Sequence, residues 1–404
     1  MKKGFFSVGH LPTLFASFFY FDMSFMVWVM LGPLGVQIAR DLDLSPAQKG
    51  LMVAVPVLCG ALLRIVAGVM VDRLRPKLTG IILQTIVIAS LLGAWLAGVK
   101  SFEAILAIGL ALGVAGASFA VALPLASQWY PPAYQGTALG IAGAGNSGTV
   151  FAALFAPTLA QAFGWNNVLG LAVIPLGVAL AVFVFMARNS NKVAAPQKRA
   201  DYLRVLKIGD AWWFMFLYSV TFGGFVGLSS SLTIYFNDQY GLNPVTAGYF
   251  TAACVFVGSF MRPIGGAFAD RVGGVLSLSI MYTVAAGALA LISLGIWSAP
   301  LVLVVFIVAM VALGMGNGAI FQLIPQSFRS EIGLITGLVG MAGGVGGFYL
   351  AFSLGISKQL TGSYHPGFLV FGLLAAGALL ALTGVKDRWR RTWGAAPELG
   401  SARI

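Results

Sequence analysis

Apolar residues in this chain come in long, nearly unbroken runs separated by short polar segments. Each run is about 20 residues or more, the length a helix needs to cross a bilayer. Twelve can be marked: 11–38, 50–71, 79–98, 102–126, 137–162, 166–187, 211–235, 245–269, 276–297, 300–324, 332–357 and 366–384. The pattern predicts an all-α membrane protein with twelve transmembrane helices. A cleavable signal peptide is not expected, because the first run is too long for one and leads into eleven more.

Composition agrees. Only 9% of the 404 residues are charged and 59% are hydrophobic, where a soluble domain carries about a quarter charged residues. The lipid bilayer is therefore the expected surrounding of most of the surface. The net charge of +12 would suit nucleic acid, but the distribution of the 24 Lys and Arg residues has a plainer cause. With the N-terminus placed inside, eighteen fall on cytoplasmic segments, among them Lys2, Lys3, Arg73 to Lys77, the 188–207 stretch, Arg271, Arg329 and the "KDRWRR" tail. Only Arg40, Lys49, Lys100 and Lys358 lie opposite. This is the positive-inside bias. It predicts a multi-pass protein of the inner (cytoplasmic) membrane with both termini in the cytoplasm, and no nucleic-acid partner. The two cysteines, Cys59 and Cys254, and the two histidines, His10 and His365, form no metal-ligand spacing, so neither a metal nor a cofactor is expected.

The long internal polar segment, "RNSNKVAAPQKRADYLRVLKIGD" (188–210), separates six runs from six. It predicts an N-terminal half (1–187), a cytoplasmic linker (188–210) and a C-terminal half with a short basic tail (211–404). The halves repeat. Setting "CGALLRIVAGVMVDR" (59–73) over "VGSFMRPIGGAFADR" (257–271) places Gly60 on Gly258, Arg64 on Arg262, Gly68 on Gly266, Asp72 on Asp270 and Arg73 on Arg271.

Duplicated six-helix halves resemble the major facilitator superfamily. "GVMVDRLRPK" (68–77) is similar to that superfamily's turn between the second and third spans, and "GGAFADRVGG" (265–274) is a weaker copy. The resemblance gives Asp72, Arg73, Asp270 and Arg271 a gating and structural role. It also implies two pseudo-symmetric halves with the substrate site between them near the midplane.

Arg64 and Arg262 lie near the middle of their spans, where an arginine costs about 2.5–3.5 kcal/mol on insertion scales and normally faces a cavity or a partner. One such arginine could be satisfied by carbonyls or a carboxylate. Two at equivalent positions of a repeat would approach each other across the central cavity, and they repel unless an anion sits between them. The planar guanidinium fork suits planar oxyanions and phosphate alike. Two glycine-rich spans limit the ligand to a small one, since glycine lets backbones close in. The fifth carries Gly140, Gly143, Gly145 and Gly148 with Asn146; the eleventh carries Gly337, Gly340, Gly343, Gly344, Gly346 and Gly347.

These two stretches, "GIAGAGNSGTVFAALFAP" (140–157) and "GLVGMAGGVGGFYLAF" (337–352), resemble the paired signatures of the nitrate/nitrite porter family. The resemblance implies that Arg64 and Arg262 clamp the anion, that Asn146 is the signature asparagine, and that Tyr218 donates a hydrogen bond. It further implies that Phe222, in "LYSVTFGGFVG" (217–227), and Phe119, in "GASFAVALP" (116–124), wall the site. The second signature has no proline matching Pro157, so identical kinking of the two helices does not follow from the repeat. In the tenth span Asn317 and Gln322 are further polar candidates.

No nucleotide-binding loop, metalloprotease motif or nucleophile–base pair is present, so neither an enzyme nor a primary pump is expected. Of twelve acidic residues only Asp22, in "FFYFDMSFMVWVMLGPLG" (18–35), falls well inside a run. It could pair with an arginine, take up a proton, or lie at the interface. Desolvation favours its neutral form and a nearby arginine its charged form. This first span resembles the proton-coupled branch of the nitrate porters, which implies nitrate or nitrite as substrate, protons as the coupling ion, a role in nitrate assimilation and a monomer. A nitrate/nitrite antiporter and a transporter of another small oxyanion are the alternatives.

Overall fold

The computed structural model of the protein describes residues 5–190, 199–296, 298–328 and 332–393. Lys2, Lys3, Lys192, Lys198, Arg329 and Arg403 of the basic count lie outside them. Every regular element among the described residues is helical, and twelve helices are long and apolar enough to span a membrane: Leu11–Trp28, Pro46–Leu74, Pro76–Ala97, Phe102–Ser127, Thr137–Phe163, Trp165–Met186, Gly209–Tyr240, Pro244–Val272, Gly274–Ser293, Ala299–Ser327, Leu334–Thr361 and His365–Trp389.

Repetition reaches the helix ends. The second span opens on a capping box, with Ser45 and Gln48 bonded to each other's backbones and Pro46 in the first turn; the eighth opens on Asn243 followed by Pro244. Each polar cap satisfies an orphan backbone donor, and proline suits the first turn because its missing N–H is not needed there. The turns that end these spans also match. Arg75 has φ +67° and Gly273 φ +98°. Only glycine adopts such a conformation without strain, so the first-half turn carries strain at Arg75 that the second half avoids.

Three expected boundaries change. The first run does not continue as one helix to residue 38: it stops at Trp28 and resumes as Gly35–Asp41. Gly32 lies in the break with its α-carbon against the backbone of Ser230, where a side chain has no room. The linker is not all irregular, since it contains the helix Arg199–Leu206, and the seventh span starts at Gly209. The two signature spans differ, though not at Pro157, which lies inside the continuous helix Gly148–Phe163. The fifth span is interrupted by a 3-10 segment, Ala144–Ser147, whereas the eleventh belongs to an unbroken helix, Ile332–Thr361.

The halves meet through crossed pairs, the second span lying along the eleventh and the eighth along the fifth. Without a hydrophobic driving force between helices in lipid, close van der Waals contact decides such packing, and small residues permit it. Gly50 faces the α-carbon of Gly355, Gly344 faces Ala61, and Gly248 faces the carbonyl of Ala153 and the ring of Pro157. Within each half the same positions meet the same kind of neighbour: Gly60 packs on Trp28 and the Gly113 carbonyl, Gly258 on Phe225 and the Met310 carbonyl.

Candidate anion-binding site

Arg64 comes from the middle of the second span and is only 2% exposed. Its Nε donates to the Gly116 carbonyl at 3.3 Å and its Nη1 to the Gly340 carbonyl of the opposite half. Three rings surround its guanidinium: Phe119 at 4.9 Å, Phe222 at 5.2 Å and Trp28 at 5.4 Å from Cζ. Nη2 is buried and has no partner. The carbonyls therefore satisfy part of the guanidinium and leave one arm free.

Arg262 is its counterpart in the eighth span. Its Cζ lies 5.3 Å from the Phe321 ring centre, and a β-carbon at Gly143 would stand 4.0 Å from it. Its Nη1 is also buried without a partner. Each arginine thus sits against a signature glycine of the other half, Arg64 on Gly340 and Arg262 on Gly143.

Tyr218 is buried, and its hydroxyl is the third polar group there without a partner. It stands within electrostatic reach of both arginines, and they of each other, with Arg262 near enough to approach its oxygen although no bond of good geometry is formed. Its ring stacks on Phe222 with centres 5.1 Å apart and planes 6° apart, as two residues four apart on one helix face allow. Phe321 closes the other side edge-on at 5.3 Å. Gly343 makes room, since a β-carbon there would come within 2.7 Å of the Tyr218 ring and 2.9 Å of Phe222. Buried donors are rarely left unpaired, because an unmade hydrogen bond costs about 1–3 kcal/mol. Three such groups within electrostatic reach of one another, two of them cationic, have the chemistry to donate hydrogen bonds to an anion.

The sequence-derived residues divide. Arg64, Arg262, Tyr218, Phe119, Phe222, Gly143, Gly340 and Gly343 come together. Gly344 and Gly347 serve the neighbouring helix contact, against Ala61 and Val57. Asn146 is buried but turned to its own backbone: in the orientation that satisfies its amide, Nδ2 donates to Gly143 at 3.1 Å and Ala144 at 3.3 Å. Gln322 lies against Gly274 at the start of the ninth span, and Asn317 is fully buried with both amide atoms unpartnered. Gly140 differs from the other fifth-span signature glycines. It packs against nothing, and Gly337 of the eleventh span likewise faces open space. Both lie one helical turn from the arginine-contacting glycines, towards the side of the Arg73 turn. On that side Asp72 helps line a small cleft with Arg75, Gln128 and Asn189, while Arg73, Asp270 and Arg271 are exposed.

Asp22 is buried inside the protein, 3% exposed. Its partner is not an arginine: Ser147 Oγ donates to Asp22 Oδ1 at 2.7 Å, and the Gly148 N–H donates to the same carboxyl. Gly145 and Gly148 let the fifth span approach the backbone of Phe18 and Asp22, where β-carbons would collide with it. Sequence reasoning missed Ser147, although it follows Asn146 directly. It also missed Phe321 and Trp28, which apolar runs do not distinguish from packing.

Residues 13–351 match the Major Facilitator Superfamily. The chain belongs to this family. It is 33% identical over 360 residues to the "Nitrite extrusion protein" of Bacillus subtilis, covering 88% of this chain and 89% of that one. It is 34% identical over 378 residues to the "Probable nitrate/nitrite transporter NarK2" of Mycobacterium tuberculosis, covering 89% and 92%. With the "Probable nitrate/nitrite antiporter NarK1" of Thermus thermophilus it shares 31% over 405 residues, covering 92% and 90%. The expected kinship with the nitrate/nitrite porters therefore holds, and the protein is a multi-pass membrane transporter, not an enzyme. The fold also matches a crystal structure of a bacterial homologue of the human lysosomal transporter Spinster, inward-facing and occupied, with a TM-score of 0.69 at 18% identity, covering 93% of this chain and 97% of that one.

Proposed function

We propose that this protein carries nitrate, and also nitrite, across the cytoplasmic membrane by alternating access, and that nitrate enters together with protons. The observation that carries the substrate is the convergence of Arg64 Nη2, Arg262 Nη1 and the Tyr218 hydroxyl, all buried and unpaired. A planar oxyanion offers acceptors in one plane to the two forks and the hydroxyl. The faces of Phe119, Phe222 and Phe321 limit its height and keep water out. The names of the relatives point to the same substrates.

Alternating access is supported by the unequal ends of the molecule. Near Gly50 and Gly355 the halves touch backbone to backbone, while Gly140 and Gly337 face open space at the other end. By the positive-inside bias the open end is cytoplasmic, as are both termini. On this reading residues 1–187 and 211–404 are the two moving bodies of a monomer, joined by 188–210. Asn146 braces the fifth span's own backbone beside the site, and Asp22 is the proton carrier, since its buried carboxyl meets hydroxyl and amide donors where a fixed counter-charge would hold it ionised.

Uptake of labelled nitrate into proteoliposomes tests this. Accumulation driven by a pH gradient, without internal anion, is the expected result. Accumulation that ignores the gradient and requires internal nitrite would instead establish an exchanger built on the same arginines. If neither condition loads nitrate while another small oxyanion enters, the substrate assignment is wrong.

A further inference from the structure

Asp22 and Arg262 belong to opposite halves, yet one short segment touches both. Gly143 faces the Arg262 guanidinium, which a β-carbon there would meet at 4.0 Å, the eighth span packs on the segment, and Ser147, one turn further along the fifth span, bonds to Asp22. Between them the helix is wound as a 3-10 segment, Ala144–Ser147. Such a stretch inside a longer helix often marks a hinge.

We propose that Ala144–Ser147 couples the proton site to the anion site, with Ser147 as the positioning residue for Asp22. This rests on the reading of Asp22 as the proton carrier. Returning four residues from 3-10 to α geometry shortens the segment by about 2 Å and turns Ser147 by about 80° relative to Gly143. Either change breaks a 2.7 Å hydrogen bond. While Ser147 and the Gly148 N–H donate, the carboxylate is stabilised in its charged form; once they withdraw, a buried carboxylate binds a proton. The proton adds to a carboxylate oxygen from the outer solution and leaves inward when the bond re-forms. The structure, open towards the Arg73 turn with the Ser147 bond made, corresponds to the state after release. An anion engaging Arg262 shifts the guanidinium against Gly143, and the segment passes the change to Ser147.

Little else acts on Asp22. Of the elements packed against the first span, the fourth, fifth and sixth spans carry only Glu103 and Tyr134 as ionisable groups, both near span ends. The second span carries Lys49, Asp72 and Arg73 towards its ends, Cys59, whose thiol is turned to the Leu110 carbonyl at 3.2 Å, and Arg64, which is turned to Gly116, Gly340 and the Phe119 ring. The eighth span, packed on the 3-10 segment, brings Arg262, with Tyr249, Cys254, Asp270 and Arg271 further off along it. Tyr20, on the first span itself, stacks on Phe183.

The test compares Ser147→Ala, Ser147→Thr and Asp22→Asn in proteoliposomes, reading pH-gradient-driven nitrate uptake across a pH series and nitrate counterflow at equal pH. Ser147→Ala should keep counterflow within about twofold. Its half-maximal pH for driven uptake should move about one unit towards alkaline, the size of one hydrogen bond to a charged group, and Ser147→Thr should restore it. If Ser147→Ala does not fold, Ser147→Cys, a weak donor of similar size, takes its place. An unchanged pH profile in the donor-less variant, beside lost drive in Asp22→Asn, overturns the role of Ser147 and leaves Asp22 as carrier. Drive that persists in Asp22→Asn overturns both.

Discussion

Lys49 Nζ meets both carboxylate oxygens of Asp238, at 3.1 and 2.9 Å, and so ties the second span to the end of the seventh. Tyr364 adds its hydroxyl to Asp238 Oδ2 at 2.7 Å. This cluster bridges the halves at the end where Gly50 and Gly355 touch, opposite the open space at Gly140 and Gly337. The pair is partly exposed, so it is worth about 1 kcal/mol or less alone, with the tyrosine adding to it. Asp238→Asn should favour opening at that end about fivefold. Labelling of a cysteine placed at Ser231, in the shallow cleft beside Lys49, by an impermeant thiol reagent in a background lacking Cys59 and Cys254 reads this directly. An unaltered labelling rate would show that glycine packing alone keeps the end shut.

The arginine clamp predicts that charge is insufficient. Arg64→Lys and Arg262→Lys should each lower nitrate transport about ten- to hundredfold at normal expression, because an ammonium cannot reproduce the planar fork. Arg64→Lys also loses the shared grip on Gly116 and Gly340. Uptake near the wild-type rate in either variant would remove the clamp from the mechanism.

On the proposed function, ring faces limit the height of the site. Phe119→Ala, Phe222→Ala and Phe321→Ala should each admit larger anions, seen as stronger competition by chlorate or bicarbonate against labelled nitrate. Competition profiles identical to the parent's in all three would reduce these rings to ordinary packing.

Signature glycines should not be equal. A β-carbon at Gly148 would collide with the Asp22 carbonyl, whereas one at Gly140 meets nothing. Gly148→Ala should therefore cost about 1–3 kcal/mol through overpacking, and Gly140→Ala should be neutral or slightly stabilising, since alanine favours helix by about 1 kcal/mol. Thermal unfolding in detergent separates them; equal transitions would contradict the packing described.

Much was determined by the sequence alone. Twelve apolar runs had to become spanning helices, because lipid offers backbone groups no other partner. The repeat placed Arg64 over Arg262, and two charges at matching positions inside spans pointed to an anion. Tertiary structure decided what depends on contacts between distant segments. Periodicity cannot say that Asp22 meets Ser147 rather than an arginine, that each arginine lies against a glycine of the opposite half, or that Gly140 faces open space while Gly148 touches the first span. Phe321, Trp28 and Lys49–Asp238 were illegible for the same reason. An aromatic ring or a loop charge looks alike in sequence whether it packs, walls a site or bridges two halves, and only the neighbours supplied by folding distinguish these fates.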